Sequence, residues 1–448
     1  MKRRKLIKYT SLATAGLAIA ACGDNVNKAP EKPEAKADFG TLEKFNINLG
    51  IIPRLDATPL IIAKEEGYFD RYGLNVNLIK QLDWQTLEDN LKEEELDVAQ
   101  APFGMPMMAQ LGKQEVPMIT LMVLNLNGSA ITLSEKVWNQ KIRTSKEYLS
   151  FSEFSDDYRT YIKRFEEAPQ FAIESPTSMD NFMVRYWLAA MGINPDLDVE
   201  LTTFSPSEMI YKLEAGLVNG YCVGEPWNQQ AVAEKVGFVP YVNRDIWTGH
   251  PGQILATLQP WVEKYPSTTR SLMAAVLEAS EFCDNPDNVP TIANILSRSR
   301  YINQVKSDTI ANCLQGVYSY GGFDGKNRIL EIDDLNIFHF KKTDYLSKPN
   351  HANYPWHSYG VWLLTQMTRW HMLDKSQYPV DADEIIKKVY PVEIYEDVAK
   401  ALDMEIPSDR YKVESANLFI DQREFDPSQP LAYLSSFSIR ANRPLWFV

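Results

Sequence analysis

Cysteine and histidine are scarce in this chain, which has four cysteines and five histidines among 448 residues. Cys22, Cys222, Cys283 and Cys313 lie far apart, and no histidine stands at the spacing that zinc sites use. One disulfide among the last three cysteines is possible, but buried free thiols are the expectation. We therefore predict no metal site, no cofactor and no catalytic residue.

Basic residues are fewer than acidic residues: 46 Lys and Arg stand against 59 Asp and Glu, which gives a net charge of -13. This acidic balance argues against nucleic acid as a partner, since polyanions bind basic surfaces. It does not exclude an anionic ligand, because a single site can be locally neutral or positive. The length and the 45% share of hydrophobic residues predict a globular protein with two or more lobes and a sizeable core.

Long apolar runs are missing as well. The run 12–21 has about ten residues, whereas a bilayer span needs about 20, and it follows a basic segment formed by Lys2, Arg3, Arg4, Lys5 and Lys8. The run leads into Ile19-Ala20-Ala21-Cys22, which resembles a lipobox. We predict a signal peptide over 1–21, lipidation at Cys22 and a flexible polar tether over 22–40. Export by the Sec route or the twin-arginine route stays open.

Short apolar strands alternate with amphipathic helices along two stretches of the chain, which predicts an α/β fold with helix-covered, largely parallel sheets. The first stretch has predicted helices at 56–69 and 84–95 and predicted strands at 45–52, 74–78, 96–99 and 116–125. The second has predicted strands at 170–173, 199–203 and 221–223, and helices that open near Thr177, Ser205 and Gly224. Thr177 is the predicted N-cap of its helix, with Asp180 completing a capping-box-like pair.

Two α/β halves of this kind indicate a type II periplasmic-binding-protein fold, in which two lobes enclose a ligand cleft at the carboxyl ends of the strands. The chain is expected to cross between the lobes near residues 130 and 245. Lobe 1 then comprises 41–130 and 250–448, including a C-terminal extension, and lobe 2 comprises 131–249.

Several motifs resemble one family of solute-binding proteins in their order and spacing. They are Glu65-Glu66-Gly67-Tyr68-Phe69-Asp70-Arg71-Tyr72-Gly73-Leu74, Gly104-Met105-Pro106-Met107, the segment 185–190, Gly224-Glu225-Pro226-Trp227, Ile246-Trp247, His250-Pro251 and the segment 426–434. These segments resemble the nitrate-binding and bicarbonate-binding lipoproteins of nitrate-type ABC transporters, the NitT/TauT group, from about residue 45 to 440. The resemblance implies a monomeric substrate-binding protein that captures a small solute by lobe closure. It also implies an ABC permease with its ATPase as partners, and a periplasmic location with a lipid anchor in a membrane.

The resemblance implies which residues line the cleft, and here the chain departs from the family. Phe103 takes the place of a tryptophan, and Ser129 takes the place of a glutamine. Ile173 or Glu174 replaces a histidine or threonine, and Gln253 replaces a lysine. Trp84 is a further candidate, and a role for calcium stays open. The predicted ligand-binding residues are Phe103, Gly104, Asn127, Ser129, Glu174, Thr177, Ser178, Glu225, Trp227 and Gln253.

These replacements bear on the charge of the ligand. The resemblance implies a nitrate- or nitrite-type anion, but Gln253 carries no positive charge, and Glu174 would repel an anion by about 4 kcal/mol at ~4 Å and an effective dielectric constant of about 20. Backbone N–H groups at helix starts near Gly104, Thr177 and Gly224 could still hold an anion. A neutral or cationic small nitrogen compound fits the aromatic and acidic residues better and is the alternative.

Two other functions are compatible with a chain of this fold class. An enzyme on the same fold, of the kind that consumes its own active-site residue to build a pyrimidine, would be cytoplasmic and would carry a glycine- and cysteine-rich segment. The predicted signal peptide and the dispersed cysteines oppose it, so the leading interpretation is not an enzyme. A sensor or scaffold lipoprotein that binds a membrane partner stays open.

Overall fold

The computed structural model describes residues 34–112, 116–346, 348, 351–373 and 377–440. The predicted signal peptide, the predicted lipidation site Cys22 and most of the predicted tether lie outside the described residues. Within the described part, no helix has both the length and the apolar character that a membrane crossing requires.

Strands and helices alternate along most of the chain. The strands are β1 Asn46–Ile51, β2 Asn75–Lys80, β3 Val98–Pro102, β4 Met118–Val123, β5 Leu126–Asn127, β6 Ser129–Ser134, β7 Gln170–Ile173, β8 Glu200–Thr203, β9 Gly220–Gly224, β10 Gly237–Val242, β11 Gln253–Leu258, β12 Val317–Ser319, β13 Ile329–Glu331 and β14 Asn336–Ile337. The helices are α1 Thr58–Glu65, α2 Tyr68–Arg71, α3 Trp84–Lys92, α4 Met105–Leu111, α5 Glu135–Trp138, α6 Phe151–Ile162, α7 Met179–Ala190, α8 Pro206–Glu214, α9 Trp227–Ala233, α10 Gln259–Lys264, α11 Pro266–Cys283, α12 Val289–Leu296, α13 Ser307–Gln315, α14 His357–Arg369, α15 Ala382–Val389, α16 Val392–Ala401 and α17 Pro430–Ser435.

Two five-stranded sheets define two lobes. The first sheet has the order β2-β1-β3-β11-β4, in which β1 is parallel to β2 and β3, and β11 is antiparallel to β3 and β4. The second has the order β10-β6-β9-β7-β8, in which β7 is parallel to β8 and β9, and β6 is antiparallel to β9 and β10. The chain leaves the first sheet after β4 and returns to it at β11, so two connections join the lobes.

The C-terminal segment thickens the first lobe. β4 is buried at every residue, as expected for a strand covered on both faces, and α15 and α16 pack against it. α16 also packs on α11, which in turn covers α1. α14 is buried along its whole length and contacts α15 and α17. These helices give the first lobe a core that extends well beyond its sheet.

Most predicted strands and helices are present with ends shifted by a few residues, but α6 and β10 were not predicted. β10 includes Pro240, which removes a backbone donor and disguises the strand in the sequence. The strand is the last one of its sheet and pairs with β6, with a register shift between Phe238 and Tyr241. On its other side, the described residues form only an isolated bridge, from Phe238 to Gly321. An edge position is where a sheet tolerates proline.

The predicted N-cap of α7 was wrong by one residue. Ser178, not Thr177, precedes the helix, and its hydroxyl accepts a hydrogen bond from the Asn181 N–H at 3.1 Å. Asp180 does not complete a capping box, because its carboxylate turns toward Arg54, with 3.6 Å between Oδ2 and Nη2. The capping box at the start of α8, by contrast, is formed by Ser205 and the side chain of Glu208.

The three cysteines of the described part, Cys222, Cys283 and Cys313, are buried and free. The expectation of buried free thiols is therefore confirmed. Burial raises the pKa of each thiol well above its ordinary value, so these groups stay protonated and behave as small apolar side chains.

The cap correction can be tested by alanine substitution. Ser178→Ala should lower the free energy of unfolding by about 1 kcal/mol, the usual cost of losing an N-cap hydroxyl. Thr177→Ala should cost less, because the Thr177 hydroxyl bonds only to the Ser175 hydroxyl, at 2.9 Å. Urea unfolding of both variants and the parent measures the difference. A larger loss for Thr177→Ala than for Ser178→Ala would contradict the assignment.

Candidate functional site

The carboxyl ends of the parallel strands of both sheets meet where the two lobes touch. Arg54 and Asp56 follow β1 in the first lobe, while Glu174 follows β7 and Asp180 lies in the first turn of α7 in the second lobe. Strand ends of this kind form the usual ligand crevice of open α/β sheets. We refer to Arg54, Asp56, Glu174 and Asp180 as the junction cluster.

A guanidinium group stands at the centre of the junction cluster. Arg54 is only 1% exposed, and its Nη1 is paired with Oε2 of Glu174. Its Nε lies 2.6 Å from Oδ2 of Asp56, in ion-pair contact but not aligned for a hydrogen bond. Its Nη2 lies 3.6 Å from Oδ2 of Asp180. The side chain therefore links an acidic group of its own lobe to two acidic groups of the other lobe.

The guanidinium of Arg54 packs against the backbone at the end of β9. A Cβ placed on Gly224 would lie 2.0 Å from Nη2 of Arg54, which no real packing allows. Glycine at this strand end lets the flat guanidinium rest directly on the main chain. Any side chain at Gly224 would displace Arg54 or force the lobes apart.

Neighbouring side chains orient the carboxylates. Trp84 Nε1 donates a hydrogen bond to Glu174 Oε2 at 2.8 Å. Gln100 Nε2 donates to Asp56 Oδ1 at 2.6 Å, and Gln100 Oε1 accepts from the Ile52 N–H at 3.0 Å. Trp84 thus adds a second contact between the lobes, and Gln100 ties Asp56 to its own sheet.

Next to the junction cluster, two backbone hydrogen bonds cross between the lobes. The Leu55 N–H donates to the carbonyl of Glu225 at 3.0 Å, and the Gly104 N–H donates to the carbonyl of Thr177 at 2.9 Å. Together with the buried junction cluster, these bonds hold the carboxyl ends of the two sheets in direct contact.

Acidic groups outnumber the basic group in the junction cluster by three to one. Burial raises the pKa of Asp56 to about 6 and raises that of Glu174 further, although Arg54 acts in the opposite direction on both. Burial lowers the pKa of Arg54 and its carboxylate neighbours raise it, with a net rise. The guanidinium therefore stays charged, and burial favours the protonated forms of Asp56 and Glu174.

Glu225, also predicted as a ligand contact, has a buried carboxylate beside the cluster. It accepts hydrogen bonds from the Tyr318 hydroxyl at 2.6 Å and from the Gln229 N–H at 3.2 Å. Burial raises the pKa of Glu225 to about 7, because its effect is larger than the opposite effect of these hydrogen bonds. Its side chain is thus occupied within the protein, and its main-chain carbonyl makes the contact with the other lobe.

The structure brings some of the other predicted residues to the junction through their backbones. Gly104 and Thr177 form one of the two crossing hydrogen bonds. Ser129 begins β6 and pairs with Gly224 across the sheet. Gln253 begins β11, next to the end of β3, where its N–H donates to Asn125 Oδ1 at 2.9 Å.

Other predicted residues have structural contacts. The Phe103 ring packs edge-on against Tyr359, with 6.0 Å between ring centroids, and also contacts Tyr390. Asn127 holds the crossing segment, since Nδ2 donates to the Asp334 carbonyl at 2.7 Å and Oδ1 accepts from the Gly249 N–H at 2.9 Å. Ser178 is the helix cap described above, and buried Trp227 begins α9. A ligand contact by these residues stays a prediction.

Sequence reasoning missed Arg54, Asp56, Asp180 and Gln100. Arg54 and Asp56 flank a leucine directly after a strand, which places two charged side chains at a sheet edge where ligands bind. That spacing was a usable signal. Asp180 was interpreted as a capping residue, and only the position of α7 shows that it faces Arg54.

Several buried polar atoms at this edge of the sheets have no hydrogen-bond partner within the described protein. Besides Nε of Arg54, they include Oε1 of Glu174, Oε1 of Gln253 and Nε2 of His250. Burial lowers the pKa of His250 to about 4, so its ring is neutral near pH 7. Most buried polar atoms in folded proteins have a partner, so these atoms are available to a water molecule or a ligand. Among the described residues, no cluster of histidine, cysteine and acidic side chains could hold a metal ion.

The buried acids predict how stability depends on pH. A carboxyl group whose pKa is higher in the folded than in the unfolded state binds protons more tightly when folded, so stability falls as the pH rises through the folded pKa. For Glu225 the rise from 4.5 to about 7 corresponds to a loss on the order of 3 kcal/mol between pH 5 and 8. Urea unfolding at several pH values measures the slope.

Glu225→Gln should flatten that slope, because an amide can still accept the Tyr318 hydrogen bond but does not titrate. Glu95→Gln, at an exposed position, is the matched control and should leave the slope unchanged. Stability that stays level or rises from pH 5 to 8 in the parent protein would show that the buried acids do not have raised pKa values.

Known proteins resemble this chain over nearly its whole length. Nitrate/nitrite binding protein NrtA from Nostoc sp. (strain PCC 7120) is 32% identical over 457 residues, covering 98% of this chain and 99% of that protein. The crystal structure of the periplasmic nitrate-binding protein NrtA from Synechocystis PCC 6803 superposes with a TM-score of 0.78 at 29% identity, covering 89% of this chain and 100% of that chain. The predicted periplasmic-binding-protein fold is thereby confirmed.

A second kind of relative is longer than this chain. Nitrate import ATP-binding protein NrtC from Synechocystis sp. (strain PCC 6803) is 37% identical over 426 residues, covering 93% of this chain but 59% of that protein. Residues 40–297 match the NMT1-like family. The resemblance predicted from the sequence is confirmed, and the chain belongs to the NMT1-like family, among the relatives of the nitrate-binding proteins.

Proposed function

We propose that this protein is the solute-binding component of an ABC importer of the nitrate type. In this proposal the lobes close on a small solute and present the closed form to a permease with its ATPase. The observation that carries it is the buried polar junction, where strand ends of two sheets converge and lobe-to-lobe contacts can form or break together. The likeness to NrtA over both lobes supports the same role.

The junction favours a cation over nitrate as the solute. Asp56, Glu174 and Asp180 face a single guanidinium, which is already committed to them. Nitrate can only accept hydrogen bonds, and a carboxylate at ~4 Å repels it by about 4 kcal/mol at an effective dielectric constant of about 20. The unpartnered Oε1 of Gln253 is an acceptor, and Oε1 of Glu174 becomes one when the carboxyl loses its proton to solvent, so both suit a ligand that donates N–H groups. A small cationic nitrogen compound meets these requirements.

The proposal includes the cellular location of the protein and its class of function. The NrtA relative of known structure is described as periplasmic, and the basic segment, the short apolar run and Cys22 support export and lipid anchoring of this chain. The relatives named here are binding or transport proteins, which supports a binding role over the pyrimidine-synthase alternative. The predicted ligand-binding residues and lobe boundaries remain part of this proposal.

Solute sensing is the second candidate. The 426-residue similarity to NrtC covers 59% of a protein named for ATP binding, so a unit like this one forms part of an ATP-binding protein. A sensor would bind its solute in the same junction but would report it to a partner instead of releasing it for import.

Calorimetry on the purified full-length chain decides between the ligand classes. Methylguanidinium or methylammonium should bind with a dissociation constant below millimolar, and nitrate should give no heat at millimolar concentration. Because a bound cation favours ionised Glu174, cation binding should release a proton, and the observed heat should vary with the ionisation enthalpy of the buffer.

Asp180→Asn should weaken cation binding on the order of tenfold, or about 1.4 kcal/mol, because it removes a junction charge and keeps the side-chain shape. Asp308→Asn, at an exposed position in α13, is the control and should bind as the parent does. Tight binding of nitrate, with no cation binding, would overturn the proposed ligand class and leave a nitrate importer component.

A further inference from the structure

Arg54 is unlike the other buried arginine of the two lobes that is held by an ion pair. Arg185 lies within the second lobe, where Nη1 contacts Asp196 at 2.6 Å and Nε donates to Asn181 at 3.0 Å. In that ion pair one arginine meets one acidic residue of the same lobe. Arg54 instead reaches out of its own lobe to Glu174 and Asp180, and it leaves Oε1 of Glu174 unpartnered within the described protein.

We propose that Arg54 is an internal competitor for the solute: its guanidinium occupies the cation position between the lobes, holds the lobes closed when no solute is bound, and leaves when the solute enters. This inference rests on the proposed solute-binding function. It names the group that the solute displaces and thereby the chemistry that the site selects, a small planar or compact cation with several N–H donors.

The surroundings of the guanidinium are those of a ligand site. Acceptors come from both lobes, Asp56 from the first and Glu174 and Asp180 from the second. The floor is the bare main chain at Gly224, which admits a flat group and no side chain of its own. A free cation bound between the lobes would need the same two-sided set of acceptors and the same flat floor.

A purely structural ion pair would be built differently. Buried ion pairs stabilise a fold only when their charges and hydrogen bonds are matched, and apolar packing often does as well. The junction cluster holds three acids for one base, and burial raises the pKa of Asp56 and Glu174. Such surplus acceptor capacity has no structural purpose, but it allows a second cation to compete with the first.

Competition has a measurable consequence for affinity. If the solute-ready state is populated only when Arg54 has left, the apparent dissociation constant rises by the inverse of that population. Removing the Arg54 side chain should therefore tighten binding of a free guanidinium ion and, in its absence, let the lobes open.

The test is chemical rescue of Arg54→Ala. Small-angle X-ray scattering should show a larger radius of gyration for this variant than for the parent. Guanidinium chloride at low millimolar concentration, far below denaturing levels, should restore the parent value. Calorimetry should give one bound guanidinium per chain, with affinity on the order of tenfold or more above that of the parent. Urea, which has the same shape without the charge, should do neither.

Arg185→Ala is the matched control. It also leaves a guanidinium-sized space beside an acid, but its polar partners Asp196 and Asn181 both belong to the second lobe, and among the described residues the first lobe contributes only the Trp370 ring at 5.5 Å. Added guanidinium should therefore not change its radius of gyration. If Arg54→Ala stays as compact as the parent and binds no guanidinium, the proposal is overturned. If Arg54→Ala does not fold, Arg54→Met serves instead: it keeps an unbranched side chain of similar length and removes the guanidinium. A scattering profile of Arg54→Met identical to that of the parent would also overturn the proposal.

These outcomes are separable from the fate of the proposed ligand class. Rescue of Arg54→Ala by guanidinium, with no cation binding by the parent protein, would support the internal competitor and reject cation capture. Cation binding by the parent, with Arg54→Ala closed and unresponsive to guanidinium, would support the ligand class and reject the internal competitor.

Discussion

One buried guanidinium stands at the centre of the polar contact between the two lobes. Arg54 follows the first strand of one lobe and meets acidic groups of the other, so the contact between lobes is electrostatic at its centre. Two backbone hydrogen bonds, from Leu55 to Glu225 and from Gly104 to Thr177, lie beside it. Both bonds require the lobes to be close enough to bury the charged cluster. Burying an unpaired charge is unfavourable, so the charges in the cluster must be paired.

The fold supplies the conditions for that cluster. Parallel strands point their carboxyl ends toward the junction, which places residues that directly follow strands face to face. Gly224 removes the side chain that would collide with the guanidinium. The C-terminal helices pack on the first sheet and give that lobe a rigid core. Part of this segment also contacts the second lobe, since Trp362 and Phe437 pack against Tyr186 of α7. The lobes therefore share an aromatic contact in addition to the charged cluster.

Sequence patterns predicted this architecture well because it depends on local rules. Short buried strands and the start of α8 near Ser205 follow from residue spacing. β10 was not predicted because it contains Pro240, which speaks against a strand in the sequence. Proline is tolerated at the edge of a sheet, but only the sheet order shows that β10 lies at an edge. Thr177 and Ser178 both suit a cap, and choosing between them requires the actual backbone angles at the helix start.

The site was harder to predict because its contacts join distant parts of the chain. Glu174 was identified through a family resemblance, but its partner Arg54 lies 120 positions earlier. Resemblance pointed to positions where relatives hold an anion and showed that charges there had changed. It could not show that the chain supplies a cation from elsewhere. Asp180 looked like a helix-capping residue for the same reason, since its partner is visible only when the lobes are assembled.

Hydrogen exchange at the Leu55 and Gly104 amides tests the central claim most directly. In the purified protein with no solute added, a junction held closed by Arg54 predicts that both amides are protected, since both donate to the opposite lobe. Exchange of both amides as fast as in exposed loops would show that the lobes stand open without solute, and it would contradict the account.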